Sequence, residues 1–359
     1  MNRLTRRTYL VSLGAVAVAG CIGRSDESTD GSGRDADSDP DSPPLADREL
    51  PLPDDTATLA DSIVSGGVSQ DGIPSIDDPQ FLEAEEADAL EAGEPVFGVE
   101  IEGGARAYPQ HVLVWHEIVN DEVGGEPVAV TYCPLTGTAQ GFARGETEFG
   151  VSGSLLNSNL VMYDRGSESY WPQMLATAIR GELEGEVLRE FPVTWTSWER
   201  WREAHPDTTV LSDNTGYARD YEDDPYGSYD PPEGHYADDS LPFAPYSSVD
   251  EDWFHLKDVV LGARSEDGSV AVEKESLAEA GRLDGSVGDV PYVAVYDPDL
   301  ETGYVYRNPE GEDVEYDDGT VTVGGDSHEP DDLPFEGVLR YDAFWFAWAG
   351  YYPDTEVLG

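Results

Sequence analysis

Cys133 closes the apolar stretch Val128-Ala129-Val130-Thr131-Tyr132 and enters the turn Pro134-Leu135-Thr136-Gly137-Thr138. A strand end entering a turn often presents free backbone N–H groups, which stabilise a thiolate and suit nucleophilic chemistry. The competing expectation is an inert core thiol, since cysteine is among the most frequently buried residue types. His116 stands between Trp115 and Glu117. An imidazole there can serve as a general base, with Glu117 to orient or charge it, although adjacent residues in an extended strand face opposite ways. Cys133 as nucleophile and His116 as base make one candidate catalytic pair. Tyr108, His111, Asn157, Asp164, Arg165, Trp171 and Gln173 form a candidate ligand-binding set. Asp164-Arg165 at the end of an apolar run suits a polar ligand, and equally suits a plain ion pair. The spacing of His111 and His116 is no recognised metal pattern. Ser154 and Ser169 lack a Gly-x-Ser-x-Gly setting, and the chain has no phosphate-binding glycine loop and no paired Cys/His zinc pattern.

The elements that must position these residues repeat along the chain. Val96–Ile101 followed by Gly103–Tyr108 reads as two strands around a glycine turn, and so does Val260–Arg264 followed by Asp267–Val272. Gly125–Pro134 parallels Asp289–Pro298. Trp198 and Trp201, then Pro206-Asp207-Thr208, parallel Trp345 and Trp348, then Pro353-Asp354-Thr355. Tryptophans three apart share a helical face, and the proline stops each helix. Three matched blocks in one order predict an internal duplication. The halves span 46–212 and 255–359, joined by an acidic, Tyr- and Pro-rich loop over 213–254. Short helices are expected near 78–88, 110–115, 172–179, 197–204, 275–279 and 343–350. The remaining segments alternate between Gly and Pro boundaries, so the expected class is α+β, β-rich and mainly antiparallel. Aligning the halves sets Cys133 against Asp297, His205 against Tyr352, and Trp115-His116-Glu117 against Glu279-Ala280-Gly281. The first half thus carries the imidazoles and the thiol, and the site is expected there.

The 359 residues hold 75 acidic and 20 basic side chains, for a formal net charge of −55. Lys257 and Lys274 are the only lysines. Such a surface repels nucleic acid, which is expected not to be a partner. Disorder does not account for the charge, because 39% of residues are hydrophobic and eight are Trp and 19 Tyr. The composition predicts a halophilic, archaeal protein: in molar salt the Debye length falls to about 3 Å, and carboxylates keep the surface hydrated. Thr5-Arg6-Arg7-Thr8-Tyr9-Leu10 is a twin-arginine pattern, followed by an apolar run too short to span a bilayer. Val18-Ala19-Gly20-Cys21 has lipobox character. The expectations are a signal peptide over 1–20, a lipid on Cys21 holding the protein to the outer face of the membrane, and a disordered acidic tether over 21–45. With Cys21 lipidated, Cys133 is left as a lone thiol and no intrachain disulfide forms.

Several longer motifs resemble the domain-of-unknown-function family 3179. They are Tyr108-Pro109, Trp115-His116-Glu117-Ile118-Val119-Asn120-Asp121, Tyr132-Cys133-Pro134-Leu135, Met162-Tyr163-Asp164-Arg165 and Ser169-Tyr170-Trp171-Pro172-Gln173. The resemblance runs from about residue 90 to the C-terminus and implies no established activity. The family commonly shows Cys-Pro-Leu-Cys, a two-thiol arrangement that binds a soft metal or cycles as a disulfide. Thr136 replaces the second thiol here. Cys133 with His116 remains a candidate pair for copper or zinc. The readings carried forward are a tethered domain binding a small ligand or metal through the first half, a thiol enzyme, and a structural or interaction module of the cell envelope. The sequence leaves the oligomeric state open.

Overall fold

The computed structural model describes residues 42–359 except 102, 230, 231 and 251. The expected signal peptide, Cys21 and the tether up to residue 41 lie outside the described residues. The chain enters through helix α1 (Thr56–Asp61) and short strands β1 (Val64–Ser65) and β2 (Phe81–Glu83). Asp55 caps α1, its carboxylate accepting from Thr58 N at 2.8 Å. The hairpin β3 (Pro95–Ile101)–β4 (Gly104–Pro109) leads into helix α2 (Gln110–His116). A meander follows: β5 (Ile118–Val123), β6 (Glu126–Cys133) and β7 (Thr138–Ala143). Next come β8 (Phe149–Leu156), β9 (Asn159–Asp164), β10 (Tyr170–Pro172), β11 (Glu190–Phe191), β12 (Thr194–Ser197), helix α3 (Trp198–Ala204) and β13 (Thr209–Leu211).

The connector carries one small hairpin, β14 (Gly227–Ser228) and β15 (Glu233–Gly234). Hairpin β16 (Val259–Ser265)–β17 (Gly268–Glu273) then leads into helix α4 (Lys274–Ala280) and the meander β18 (Arg282–Val287), β19 (Val290–Asp297), β20 (Thr302–Arg307). An inserted sheet of β21 (Val314–Asp317), β22 (Thr320–Val323) and β23 (Asp326–His328) precedes β24 (Glu336–Val338). The chain closes with β25 (Arg340–Phe344), helix α5 (Trp345–Tyr351) and β26 (Glu356–Val357).

The fold is α+β, β-rich and mainly antiparallel, as the alternation of apolar residues required. Two sheets of the first half share their strand order with two sheets of the second. β12-β3-β4-β13 corresponds to β25-β16-β17-β26, and each ends in a parallel pairing, β13 on β4 and β26 on β17. The meander β5-β6-β7 with β11 corresponds to β18-β19-β20 with β24. The tryptophan helices pack alike. A Cβ on Gly98 would lie 2.2 Å from the Trp201 ring, and one on Gly262 would lie 2.1 Å from the Trp348 ring. Trp201 Nε1 donates to Thr208 Oγ1 at 2.9 Å, and Trp348 Nε1 to Thr355 Oγ1 at 3.0 Å. The spacing Trp-x-x-Trp…Thr therefore encodes one packing unit twice.

Two expected helices form otherwise. Residues 78–88 give β2 and a single 3-10 turn, Ala84–Glu86. Strand β2 instead takes an edge place, pairing Leu82 with Val210 on β13. Residues 172–179 form only the 3-10 turn Gln173–Leu175, which Ala176 ends in a left-handed conformation at φ 52°. An apolar core joins Leu156, Val161 and Met174 of the first half to Trp345, Trp348 and Tyr351 of the second. Among the described residues no helix is long and apolar enough to cross a membrane.

Candidate functional site

Helix α2 starts where Pro109 fixes an extended backbone and ends at Glu117, whose left-handed conformation (φ 60°, ψ −30°) caps it. The cap N–H bonds Leu113 O at 2.7 Å, and Glu117 O accepts from Tyr132 N at 2.7 Å. In the second half the same place is Gly281 (φ 74°, ψ −27°), bonded likewise to Leu277 O and Tyr296 N. Glycine adopts this conformation freely, whereas a residue with a Cβ is strained by on the order of 1 kcal/mol. The first half therefore holds a strained glutamate where the fold is content with glycine. Strain of this kind clusters at sites of function.

The Glu117 side chain turns inward. The residue is 7% exposed, and among the described residues its carboxyl has no hydrogen-bond partner and no ion pair. Burial alone lifts that carboxyl to about 8. Cys133, at the end of β6, is 1% exposed, and its thiol donates to Ser158 O at 3.8 Å. Burial first, then the charge of Glu117, pushes the Cys133 thiol up to about 11. The connector brings Tyr226 to the same place. Burial raises the Tyr226 hydroxyl, and the charges of Glu117 and Cys133 raise it further. Burial thus holds the protons of three acidic groups, from α2, β6 and the connector, at neutral pH.

The connector seals the surroundings. Gln110 Nε2 donates to Asp224 Oδ2 at 3.0 Å and to Tyr236 Oη at 3.1 Å, while Tyr236 Oη donates to Asp224 Oδ2 at 3.0 Å. His235 Nε2 donates to Leu135 O at 3.0 Å, and its ring stands 6.0 Å from that of Tyr226, centre to centre. Lys257 Nζ bonds His235 O. Burial lowers the His235 pKa and keeps the ring neutral.

The residues singled out from sequence are distributed differently. Cys133 is one of the three buried acidic groups. His116 does not join it as a base. As the last residue of a helix rather than part of a strand, it directs Nδ1–H to Pro74 O and accepts from Tyr221 Oη at Nε2, both at 2.7 Å. Glu117 orients no imidazole; its charge instead raises the Cys133 thiol. Tyr108 donates to Asp121 at 2.6 Å, and His111 pairs with Glu94 at 3.1 Å on a partly exposed face. Asn157, in the β8–β9 turn, holds Ala347 O and Tyr246 N at 2.6 and 2.8 Å.

Asp164 and Arg165 do not pair with each other: Asp164 ends β9 and Arg165 opens the turn after it. Asp164 accepts from Ser167 N and Trp171 Nε1 at 2.6 and 2.9 Å, closing the turn into β10. Arg165 binds Asp77 and Glu148 at 2.7 and 2.6 Å. Gln173 is buried between Thr131, Thr138 and Asn159. The polar contacts of these side chains hold loops and strands together. Glu117, Tyr226, Asp224 and His235 were not in the expected set, apart from Glu117 as a helper of histidine. The signal for Glu117 was its alignment with Gly281.

The residues present do not fit copper or zinc. Both ring nitrogens of His116 are bonded away from Cys133, and among the described residues no three of His, Cys, Asp and Glu gather to hold a metal. Nor does Cys133 rest as a thiolate. Iodoacetamide at pH 8 is expected to alkylate Cys133 in the folded chain roughly 100-fold or more slowly than in the unfolded chain, timed by mass spectrometry. Equal rates would mean that the thiol is neither buried nor raised.

No curated protein and no solved structure matches the chain. A family match does exist, and it begins earlier than the motifs alone suggested, taking in Asp77 and β2 as well as the buried acidic residues of α2, β6 and the connector. Residues 70–355 match the family described as Protein of unknown function (DUF3179), and the chain belongs to that family.

Proposed function

We propose that the protein is an exported, lipid-anchored domain that binds a small ligand in the pocket of Glu117, Cys133 and Tyr226. The observation that carries this reading is Glu117: a residue 7% exposed, its carboxyl without a hydrogen bond or ion pair among the described residues, and set on strained backbone. A buried polar group left unbonded costs about 1–3 kcal/mol, and a ligand that bonds it recovers that cost. Thiol catalysis receives less support, since the raised Cys133 thiol withholds the nucleophilic form and His116 is engaged elsewhere. Ligand-observed NMR with a mixed set of small polar molecules tests the reading. At least one is expected to bind the wild type and not Glu117→Gly, which copies the second half. A set of binders that does not distinguish the two proteins would end it.

The anchor rests on the twin-arginine pattern and on Val18-Ala19-Gly20-Cys21. Cys21→Ser is expected to move the protein from the membrane fraction to the medium. Retention in the membrane would refute lipid attachment at that cysteine. The shared strand order and the matched Gly–Trp packing support an origin of the two halves by duplication, with the pocket kept in one copy. In the other copy Gly281 and Asp297 replace Glu117 and Cys133, and Asp297 is spent on the N–H groups of Asp299 and Leu300.

A further inference from the structure

A recess that Glu117 does not line lies on the sheet β1-β8-β9-β10. Tyr163 on β9 and Tyr170 on β10 are register partners, so both rings stand on one face of that sheet. Val161, two residues back along β9, shares the face and belongs to the apolar core. Beyond it, Gln70, Tyr163, Glu168, Tyr170, Arg180 and Gly181 line a cleft of about 270 Å³. Three separate segments bring the polar groups. Asp71 N bonds Val151 O at 2.9 Å and fixes the loop that carries Gln70. Glu168 sits in the β9–β10 turn on left-handed backbone, at φ 55°, which strains a residue with a Cβ. Arg180 is held beside Tyr170 by two backbone hydrogen bonds, Tyr170 N to Arg180 O at 2.8 Å and Ile179 N to Tyr170 O at 2.9 Å. Gly181 lets this loop close on the turn, since a Cβ there would lie 2.6 Å from Ser169 Cα.

The Tyr163 hydroxyl is committed to Asp71, at 2.7 Å. Among the described residues neither the Glu168 carboxyl nor the Arg180 guanidinium has a hydrogen bond or ion pair; Arg180 stands over the Tyr170 ring, Cζ 5.8 Å from its centre. These two opposite charges balance the cleft within a chain of net charge −55, so it favours no ion of either sign. Arg180 only donates, Glu168 only accepts, and Gln70 does both. A matching ligand offers donors and acceptors along its edge, to reach all three segments, and apolar surface to two aromatic rings. The volume falls below the roughly 300–1,000 Å³ of drug-sized sites and suits about one ring. An amino acid gathers its polar groups at one end and leaves the rest of the rim unserved. A pyranose carries hydroxyls, each donor and acceptor at once, around a ring with C–H faces. We propose that the cleft binds one neutral sugar ring, its hydroxyls on Gln70, Glu168 and Arg180 and its C–H surface against Tyr163 and Tyr170.

The test is calorimetric titration of the full chain in molar potassium chloride with methyl α-D-glucopyranoside, methyl α-D-mannopyranoside, methyl β-D-galactopyranoside, L-phenylalanine and propionate in turn. At least one glycoside is expected to bind, and Arg180→Ala and Glu168→Ala each to weaken it at least ten-fold. Phenylalanine or propionate bound in preference to every glycoside overturns the sugar assignment. Failure of all three glycosides to bind, or binding that either variant leaves unchanged, overturns the site itself. Both side chains are exposed, so the variants are expected to fold. Circular dichroism checks this, and Gln70→Ala replaces either variant that does not.

Discussion

Glu117→Gln is expected to stabilise the folded protein at pH 8 by roughly 3–5 kcal/mol relative to wild type, and to do nothing comparable at pH 4. The sign follows from where the proton sits. The carboxyl titrates near 4.5 when the chain is unfolded and near 8 when it is folded. Below pH 4.5 it is protonated in both states and takes nothing from stability. Between about 4.5 and 8 the unfolded chain releases the proton while the folded chain keeps it, so stability falls as pH rises. Above 8 the full penalty is present. Glutamine carries no charge in either state and removes this slope. The many surface carboxylates titrate in both proteins, so the difference between wild type and variant isolates residue 117. Denaturant melts at pH 4, 6 and 8 in one molar salt would measure it. Parallel melts across that range would show that the carboxyl has a partner in the folded state. Glu117→Gly should gain about 1 kcal/mol more by relieving the left-handed backbone. A residue whose removal strengthens the fold is retained for some other reason, which is the usual signature of a binding group.

Arg264→Ala is expected to destabilise the protein by about 3–5 kcal/mol, because it strands a buried negative charge without its counter-ion. Arg264 on β16 reaches across the halves to Glu190 on β11, at 2.7 Å, and both side chains are almost fully buried. Glu190 also accepts from Gln140 at 3.1 Å and from the half-exposed Arg48 at 2.8 Å. Without Arg264 its carboxylate stays in the interior with only a rim arginine to balance it. The double variant Arg264→Met, Glu190→Gln removes both charges and should recover much of the stability. Chemical denaturation of the two variants and the wild type measures the effect. A cost below about 1 kcal/mol for Arg264→Ala would mean that water reaches Glu190. This pair fastens β11 of the first half to β16 of the second, and so holds together the halves on which the pocket is built.

Both effects depend on neighbours far apart in the chain, and this separates what the order of residues made legible from what it did not. Short-range periodicity marked the hairpins β3–β4 and β16–β17, the strand ending at Cys133, and the helices of the paired tryptophans. In each case the information lies within a few residues: alternation for a strand, a three-residue step for one helical face, a proline or glycine for the stop. The same logic overreached at 78–88 and 172–179, where partner strands and a left-handed Ala176 claimed the backbone. It also drew together residues adjacent in sequence that a strand end or a helix end sends apart, Asp164 from Arg165 and His116 from Glu117.

What the amino-acid order settles without help is the β-rich α+β class and the acidic composition. Tertiary structure alone decides that the charge of Glu117 acts on Cys133 and Tyr226. That coupling requires a left-handed helix cap to turn the carboxyl inward, a strand end 16 residues later to supply the thiol, and a connector more than a hundred residues away to cover both. Burial, which raises all three groups, is a property of the packed whole and has no local sequence signal.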